Sequence, residues 1–374
     1  MSSLNILEDE ELDLVMDLLK NRDISGWFKS HDGGEYLQEF QRLFASFCGA
    51  NYAFAVSSGS ASIYIALKAV GVGLGDYVAV PAYTHIGSVA PICLAGAKPI
   101  FVDVTSCGNL DPIDLKQVMS GNKPIKAVIV VHQLGVPCEM EAIKSVSCNA
   151  HIIEDASHAL GSEYNGKKAG VLGHIGCFSI GGGRTKTIST GEGGMVTTND
   201  EAFAQNIKNI RNHGDRYTDA PYLCFNFRMS ELQALIGLLQ MRNIEKLNKW
   251  QVENGNYIIQ NLPETLEYIQ PPSYMKSINY LIGTYFKSNI SKISRNDFLD
   301  LVRKQGLEGG IPRRNIGPGY SKLIYEVEYF KQFKRKCKNS ENLRDSAVWI
   351  DWHRYPRTKE EIDQMLNGLK GIIP

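Results

Sequence analysis

Residues 126–158, KAVIVVHQLGVPCEMEAIKSVSCNAHIIEDASH, carry the pattern that sets the fold. Two short runs, KAVIVVH and HIIEDA, flank a stretch at 139–147 whose apolar positions recur at helical spacing. Both runs are rich in Val and Ile and apolar on both sides, as parallel strands are when both faces are covered. Strand, helix and strand in this order predict a βαβ unit.

The alternation extends outward. On the N-terminal side the pattern predicts a helix over 60–70, strand YVAVPA (77–82), a helix over 86–95, strand KPIFVDV (98–104) and a helix over 112–119. On the C-terminal side, CFSI (177–180) and GMVTT (194–198) read as strands separated by a Gly-rich segment. Helical spacing also covers 5–22, 35–48, 201–212 and, as one long helix broken only by Gly237, 230–254. Beyond it the elements shorten, with Pro271-Pro272 and the turn-rich EGGIPRRNIGPGYS at 308–321. The expected architecture is α/β: a large lobe over 1–245 with a mostly parallel mixed sheet, and a smaller α/β lobe over 246–374.

A chain of 374 residues is long enough for two lobes around a cleft. Hydrophobic residues at 43% and charged residues at 21% are the balance of a soluble globular protein. Lys+Arg equals Asp+Glu at 40 each, so the basic excess expected of a nucleic-acid binder is absent. No apolar run reaches the roughly 18 residues of a membrane span. The start, MSSLNILEDEELDLVMDLLKNRD, is acidic and amphipathic rather than basic and then apolar, which predicts a cytoplasmic protein without a signal peptide. Eight scattered cysteines without a C-x-x-C pair, and histidines without matching spacing, predict reduced thiols and no metal.

Three stretches can carry chemistry. Ser57-Ser58-Gly59-Ser60-Ala61 is a small-residue turn opening a helix, where free N–H groups and the positive helix end attract an anion; an ordinary Ser N-cap is the plainer reading. Ile152-Ile153-Glu154-Asp155-Ala156-Ser157-His158 ends an apolar strand with two acids, at the position where open α/β sheets place ligand groups; a capping Asp beside a satisfied His is the alternative. Lys186 lies in a Gly-rich loop after Ser179, and a desolvated lysine there can form a Schiff base, whereas most loop lysines are solvated. The spacing does not match a phosphate-loop motif. Taken in order, an anion cradle, a strand-end carboxylate and a later lysine are the three handles that pyridoxal 5′-phosphate requires.

At this point the chain resembles the DegT/StrS-type sugar aminotransferases, of the fold type I pyridoxal phosphate enzymes. The similar stretches are SSGSASIYIALKA, VPAYTHIGSVAPICLAGAKPIFVDV, HIIEDASHALGSEYNGKKAG, CFSI, KTISTGEGGMVTTND, IRNHG and FNFRMSELQALIGLLQM, covering about 50–245, with looser likeness in GYSKLIYEVEYF and TKEEIDQML. The resemblance implies Lys186 as the Schiff-base lysine and Asp155 as the partner of the pyridinium nitrogen. It implies His158 near the phenolic oxygen, and Gly59, Ser60, Ala61 and Ser179 at the phosphate. His85 stands where an aromatic residue usually stacks on the ring. Asn226 and Arg228, in FNFRM, resemble residues that a neighbouring subunit supplies.

The implied activity is transfer of an amino group from glutamate or glutamine to a keto group of a nucleotide sugar. The product is an amino sugar for a polysaccharide or glycosylated metabolite, made by a homodimer with shared active sites. A cyclitol or other ring ketone is the alternative acceptor. A pyridoxamine-dependent sugar dehydratase is disfavoured because such relatives replace the lysine with His, and a non-catalytic regulator has only a lengthened loop before Lys186 in its favour. The familiar Pro-Leu-His run is missing from the C-terminal lobe. The basic run KQFKRKCK (331–338) reads as a solvated helix face rather than a diphosphate site.

Overall fold

The computed structural model describes residues 9–21, 24–25, 33–182, 186–214, 223–307, 316–351 and 357–372. Helices α1 (Asp9–Asn21) and α2 (Glu35–Cys48) come first. The βα alternation then follows: β1 (Tyr52–Val56), α3 (Gly59–Ala69), β2 (Tyr77–Pro81), α4 (Ile86–Leu94), β3 (Lys98–Val102), α5 (Pro112–Met119), β4 (Ile125–Val131), α6 (Met140–Val146) and β5 (His151–Asp155). A small hairpin, β6 (Glu163–Tyr164) and β7 (Lys167–Lys168), precedes β8 (Ile175–Ser179), β9 (Gly194–Thr198) and α7 (Glu201–Arg211).

These strands form a seven-stranded sheet in the order β1-β9-β8-β5-β4-β2-β3. Pairing is parallel from β3 through β2, β4 and β5 to β8, and β9 runs antiparallel to both of its neighbours. The sheet is therefore mixed but mostly parallel, as the Val- and Ile-rich runs predicted. Helices cover both faces: α3 and α4 contribute Ile65, Leu67 and Val89 to one core, and α2 contributes Leu37, Phe40 and Phe44 to another. Apolar residues at this helical spacing force α2 to lie along the sheet rather than in solvent.

The single helix expected over 230–254 is two: α8 (Glu231–Met241) and α9 (Ile244–Gln260). Asn243 sits between them at φ −106°, ψ 9°, outside helical values. Asn competes for backbone hydrogen bonds, so the polar Arg242-Asn243 step ends the first helix. Gly237, the break that the pattern suggested, lies inside α8, where a Cβ would come within 2.6 Å of the Phe40 ring. It serves close packing of α8 on α2.

Helix α9 places Ile244 in a core of the large sheet and Ile258 in a separate core. The elements that follow are β10 (Leu266–Tyr268), β11 (Met275–Lys276), β12 (Ile282–Phe286), α10 (Ser288–Ser291), α11 (Arg295–Lys304), β13 (Ile316–Pro318), α12 (Lys338–Ser346), β14 (Ala347–Ile350) and α13 (Lys359–Ile372). The second core is built by β10, β12, α11, β13, β14 and α13 with Ile258, whereas Met275 of β11 and Leu343 of α12 pack into the cores of the large sheet. Strands β10-β12-β14-β13 make an antiparallel four-stranded sheet, and β11 returns to pair with β6. The basic run is not one helix face. Arg335 turns inward to a bidentate pair with Asp114 on α5, while Lys331 pairs at the surface with Glu328. Among the described residues, no helix is long and apolar enough to cross a membrane.

Candidate active site

A cavity of about 490 Å³ opens where the carboxyl ends of the large sheet meet the small sheet. Gly59, Ser60, His85, Asp155, His158, Ser179 and Lys186 all line it. Elements far apart in sequence deliver them, because parallel strands end on one edge and the helices that follow start there.

The period of two along β5 separates its acids. Asp155 faces the cavity and is 5% exposed. Its Oδ2 accepts from the Ser88 hydroxyl at 2.6 Å and its Oδ1 from the Ser157 N–H at 3.1 Å. Thr84 Oγ1 lies 3.1 Å from the Ser88 hydroxyl. Glu154 faces the interior, where it accepts from the Gly170 N–H at 2.7 Å and meets His132 Nε2 at 2.8 Å. His132 Nδ1 accepts from the Cys138 N–H at 3.0 Å, which leaves the ring proton on Nε2, directed at Glu154. Glu154 is thus a structural acid.

Helix α3 begins as the cradle requires. The Ser58 hydroxyl accepts from the Ala61 N–H at 3.1 Å, so this turn is an N-cap and an anion site at once. The N–H groups of Gly59 and Ser60, in the first turn, have no intrahelical acceptor. Ala61 is spent on the cap and does not line the cavity. Gly59 is required by close approach: a Cβ there would lie 2.6 Å from the Ser179 Cβ. That contact sets the β8 end beside the helix N-terminus.

Lys186 extends its Nζ to the Ser157 carbonyl at 2.8 Å, and the same Nζ lies 4.9 Å from the centre of the Tyr280 ring. Tyr280 stacks on His158, with ring centres 4.1 Å apart and planes within 15°. The loop residues 183–185 before Lys186 lie outside the described residues. His85 is the N-cap of α4; its Nδ1 accepts from the Gly87 N–H at 3.0 Å.

Asn226 and Arg228 do not line this cavity. The Asn226 side chain accepts from the Arg228 N–H at 3.0 Å, and Arg228 Nη1 reaches Asn212 Oδ1 at 3.5 Å. Burial holds the Arg228 guanidinium below its ordinary range. The backbone of FNFRM nevertheless runs behind the cradle, where the Ser57 N–H donates to the Phe227 carbonyl at 2.8 Å.

Sequence reasoning missed Ser88, Tyr280, Tyr320 and Trp349. Ser88 lies three residues past His85, one helical turn in, and that spacing was a usable signal. Nothing local marks the other three. Tyr280, Tyr320 and Trp349 line the cavity from the small sheet and the segments beside it. Burial pushes the Tyr320 phenol well above the ordinary tyrosine range; the neighbouring Gln133 amide opposes this, and Tyr83, Asp155 and Tyr280 add to the rise. Its hydroxyl therefore keeps its proton.

A family model described as the DegT/DnrJ/EryC1/StrS aminotransferase family matches residues 6–370. The chain is 37% identical over 246 residues to a GDP-perosamine synthase of Caulobacter vibrioides, a match spanning 64% of each protein. It is 32% identical over 387 aligned positions to an uncharacterized protein of Methanocaldococcus jannaschii, covering 98% of this chain and 95% of that one. The solved structure of an aminotransferase from Psychrobacter cryohalolentis superposes with a TM-score of 0.86 at 25% identity, covering 100% of this chain and 98% of the other.

Proposed function

This chain belongs to the DegT/DnrJ/EryC1/StrS aminotransferase family, and from that premise we propose that it is a pyridoxal-phosphate aminotransferase. It takes an amino group from glutamate or glutamine and delivers it to a keto group of a nucleotide sugar. The product is an amino sugar for a polysaccharide or glycosylated metabolite. We place the enzyme in the cytoplasm, as a homodimer with shared active sites, and its lobe boundary near residue 245. One observation carries the reading: a buried carboxylate, a lysine amine and a helix N-terminus meet in one cavity.

The residues present fit pyridoxal phosphate. The Gly59–Ser179 approach makes a cradle that a Cβ would fill, and Asp155 is the buried acid of the same cavity. When bound, the cofactor supplies an electron sink and carries the amino group between the two reactants. Gly59 and Ser60 N–H groups with the Ser179 hydroxyl take its phosphate. Asp155, oriented by Ser88 and the Ser157 N–H, holds a proton on the ring nitrogen, because a nearby anion favours the cationic form. Lys186, as a free amine, would take up and return the proton of the substrate carbon. Tyr280 covers that amine and helps exclude water from it.

The purified protein should be yellow and should bleach with L-glutamate or L-glutamine. Borohydride reduction of the resting protein should leave the cofactor on the peptide containing Lys186. Label on Lys167 or Lys168 instead would sink the assignment. Lys186→Ala should bind the cofactor without completing turnover.

A further inference from the structure

The cavity has two halves of different origin. Gly59, Asp155, Ser179 and Lys186 come from the carboxyl edge of the large sheet, whereas Gly317, Tyr320, Trp349 and Asp351 come from β13, β14 and the chain just beyond them. Resting on the aminotransferase reading, this division leaves the second half for the reactant that accepts the amino group.

The second half is aromatic and rigid. Tyr83, Tyr320 and Trp349 form a closed edge-to-face triad, with ring centres 5.2 Å apart for Tyr83–Tyr320, 6.0 Å for Tyr83–Trp349 and 4.9 Å for Tyr320–Trp349. Tyr83 is buried behind the wall, and its hydroxyl accepts from the Tyr320 N–H at 3.1 Å. The Gln133 amide is the polar partner behind the Tyr320 phenol, although neither amide atom completes a hydrogen bond of good geometry. On β14, Trp349 is flanked in register by Gly283 on β12 and Gly317 on β13. No cross-strand side chain from those two positions covers the indole. Among the described residues this half carries a carboxylate, Asp351, and no cation.

We propose that Trp349, held edge-to-face against Tyr320, forms a platform for the apolar face of a neutral, hydroxylated six-membered ring, the ring that receives the amino group. The C–H face of such a ring carries slight positive charge and meets the negative π-face of the indole, while the Tyr320 hydroxyl and Asp351 take its hydroxyl groups. A diphosphate or a carboxylate has no described partner there. The same ring chemistry occurs in a nucleotide-linked keto-hexose and in a free inosose, a cyclitol ketone.

Holoenzyme is titrated with a GDP-linked keto-hexose, with an inosose and with GDP alone while tryptophan emission is followed. One of the ring ketones should change the emission of wild type and not of Trp349→Phe; which ketone does so identifies the source of the ring. Trp349→Ala should raise KM for that ketone about tenfold, the loss of one good aromatic contact, while the rate of bleaching by L-glutamate changes less than about threefold. If Trp349→Ala does not fold, Trp349→Leu replaces it. Equal emission change with GDP alone would mean that a base, not the ring, docks on the wall, and overturns the proposal. An unchanged KM in a folded variant, or equal losses in both half-reactions, overturns it too. If wild type bleaches with neither L-glutamate nor L-glutamine, the aminotransferase reading fails, and emission alone then judges the platform. A change confined to chains with Trp349 supports it; no change with either ketone ends it.

Discussion

Asp155 and Glu154 are neighbours in sequence with opposite tasks, and the difference is a matter of what each carboxylate touches. Two donors orient Asp155 toward the cavity, the Ser88 hydroxyl at 2.6 Å and the Ser157 N–H at 3.1 Å. Removing a hydrogen bond to a charged group costs about 1.5–3 kcal/mol, so Ser88→Ala should slow turnover by about ten- to a hundredfold. Cofactor affinity should change little. Asp155→Ala should lose more than about a hundredfold, because the proton on the ring nitrogen loses its anion altogether. Turnover measured beside cofactor titration separates the two effects; a wild-type rate in Ser88→Ala would leave orientation to the Ser157 N–H alone. His85 has two tasks to separate, since its ring lines the cavity and its Nδ1 caps α4. His85→Phe should keep turnover within a few-fold if stacking is the ring's role, and should lower stability by about 1 kcal/mol through loss of the cap. A large loss of rate with an unchanged melting temperature would instead give the imidazole a chemical role.

At the scale of elements, the cradle depends on how closely α3 approaches β8. Gly59→Ala places a Cβ 2.6 Å from the Ser179 Cβ, so either the helix N-terminus or the strand end must shift. Overpacking of this kind costs about 1–3 kcal/mol, and the displaced N–H groups should weaken cofactor binding about tenfold. Adding Ser179→Gly to Gly59→Ala removes the opposing Cβ and should restore the melting temperature. If Gly59→Ala binds the cofactor as wild type does, phosphate is held elsewhere. The βα elements themselves were legible in the sequence: α2 (Glu35–Cys48) and α5 (Pro112–Met119) fall on the predicted spans. Helix α8 was not, because its apolar positions continue in step into α9, and only the polar Arg242-Asn243 step breaks the backbone.

For the whole molecule, the placement of Asn226 and Arg228 outside the cavity of their own chain is the observation on which assembly turns. If Arg228 serves the neighbour's cofactor phosphate, Lys186→Ala and Arg228→Ala disable different sites of a homodimer. Each variant alone should be nearly inactive. After random exchange in equal amounts about half the dimers are mixed, each with one intact site, so roughly a quarter of wild-type activity should return. Differently tagged chains verify that exchange has occurred. No recovery between two folded, exchanged dimers would show that each chain builds its own site.

Periodicity and residue type were enough for the α/β class and the mostly parallel sheet, because both rest on local pattern. They also singled out the stretches holding Gly59, Asp155 and Lys186, which line one cavity, whereas a phosphate role for Ser179 came only from the family resemblance. The sequence also held a Ser N-cap within 57–61 and the two strand-end acids; that the cap is Ser58, and that Ser88 holds Asp155, came from the structure. Tertiary structure alone decided that Ala61 is spent inside the cap, that Arg335 leaves its basic run for Asp114, and that Tyr280, Tyr320 and Trp349 close the cavity. The reason is physical: a strand or helix is specified by neighbours within a few residues, whereas a wall is made by side chains that only packing of the two sheets brings face to face.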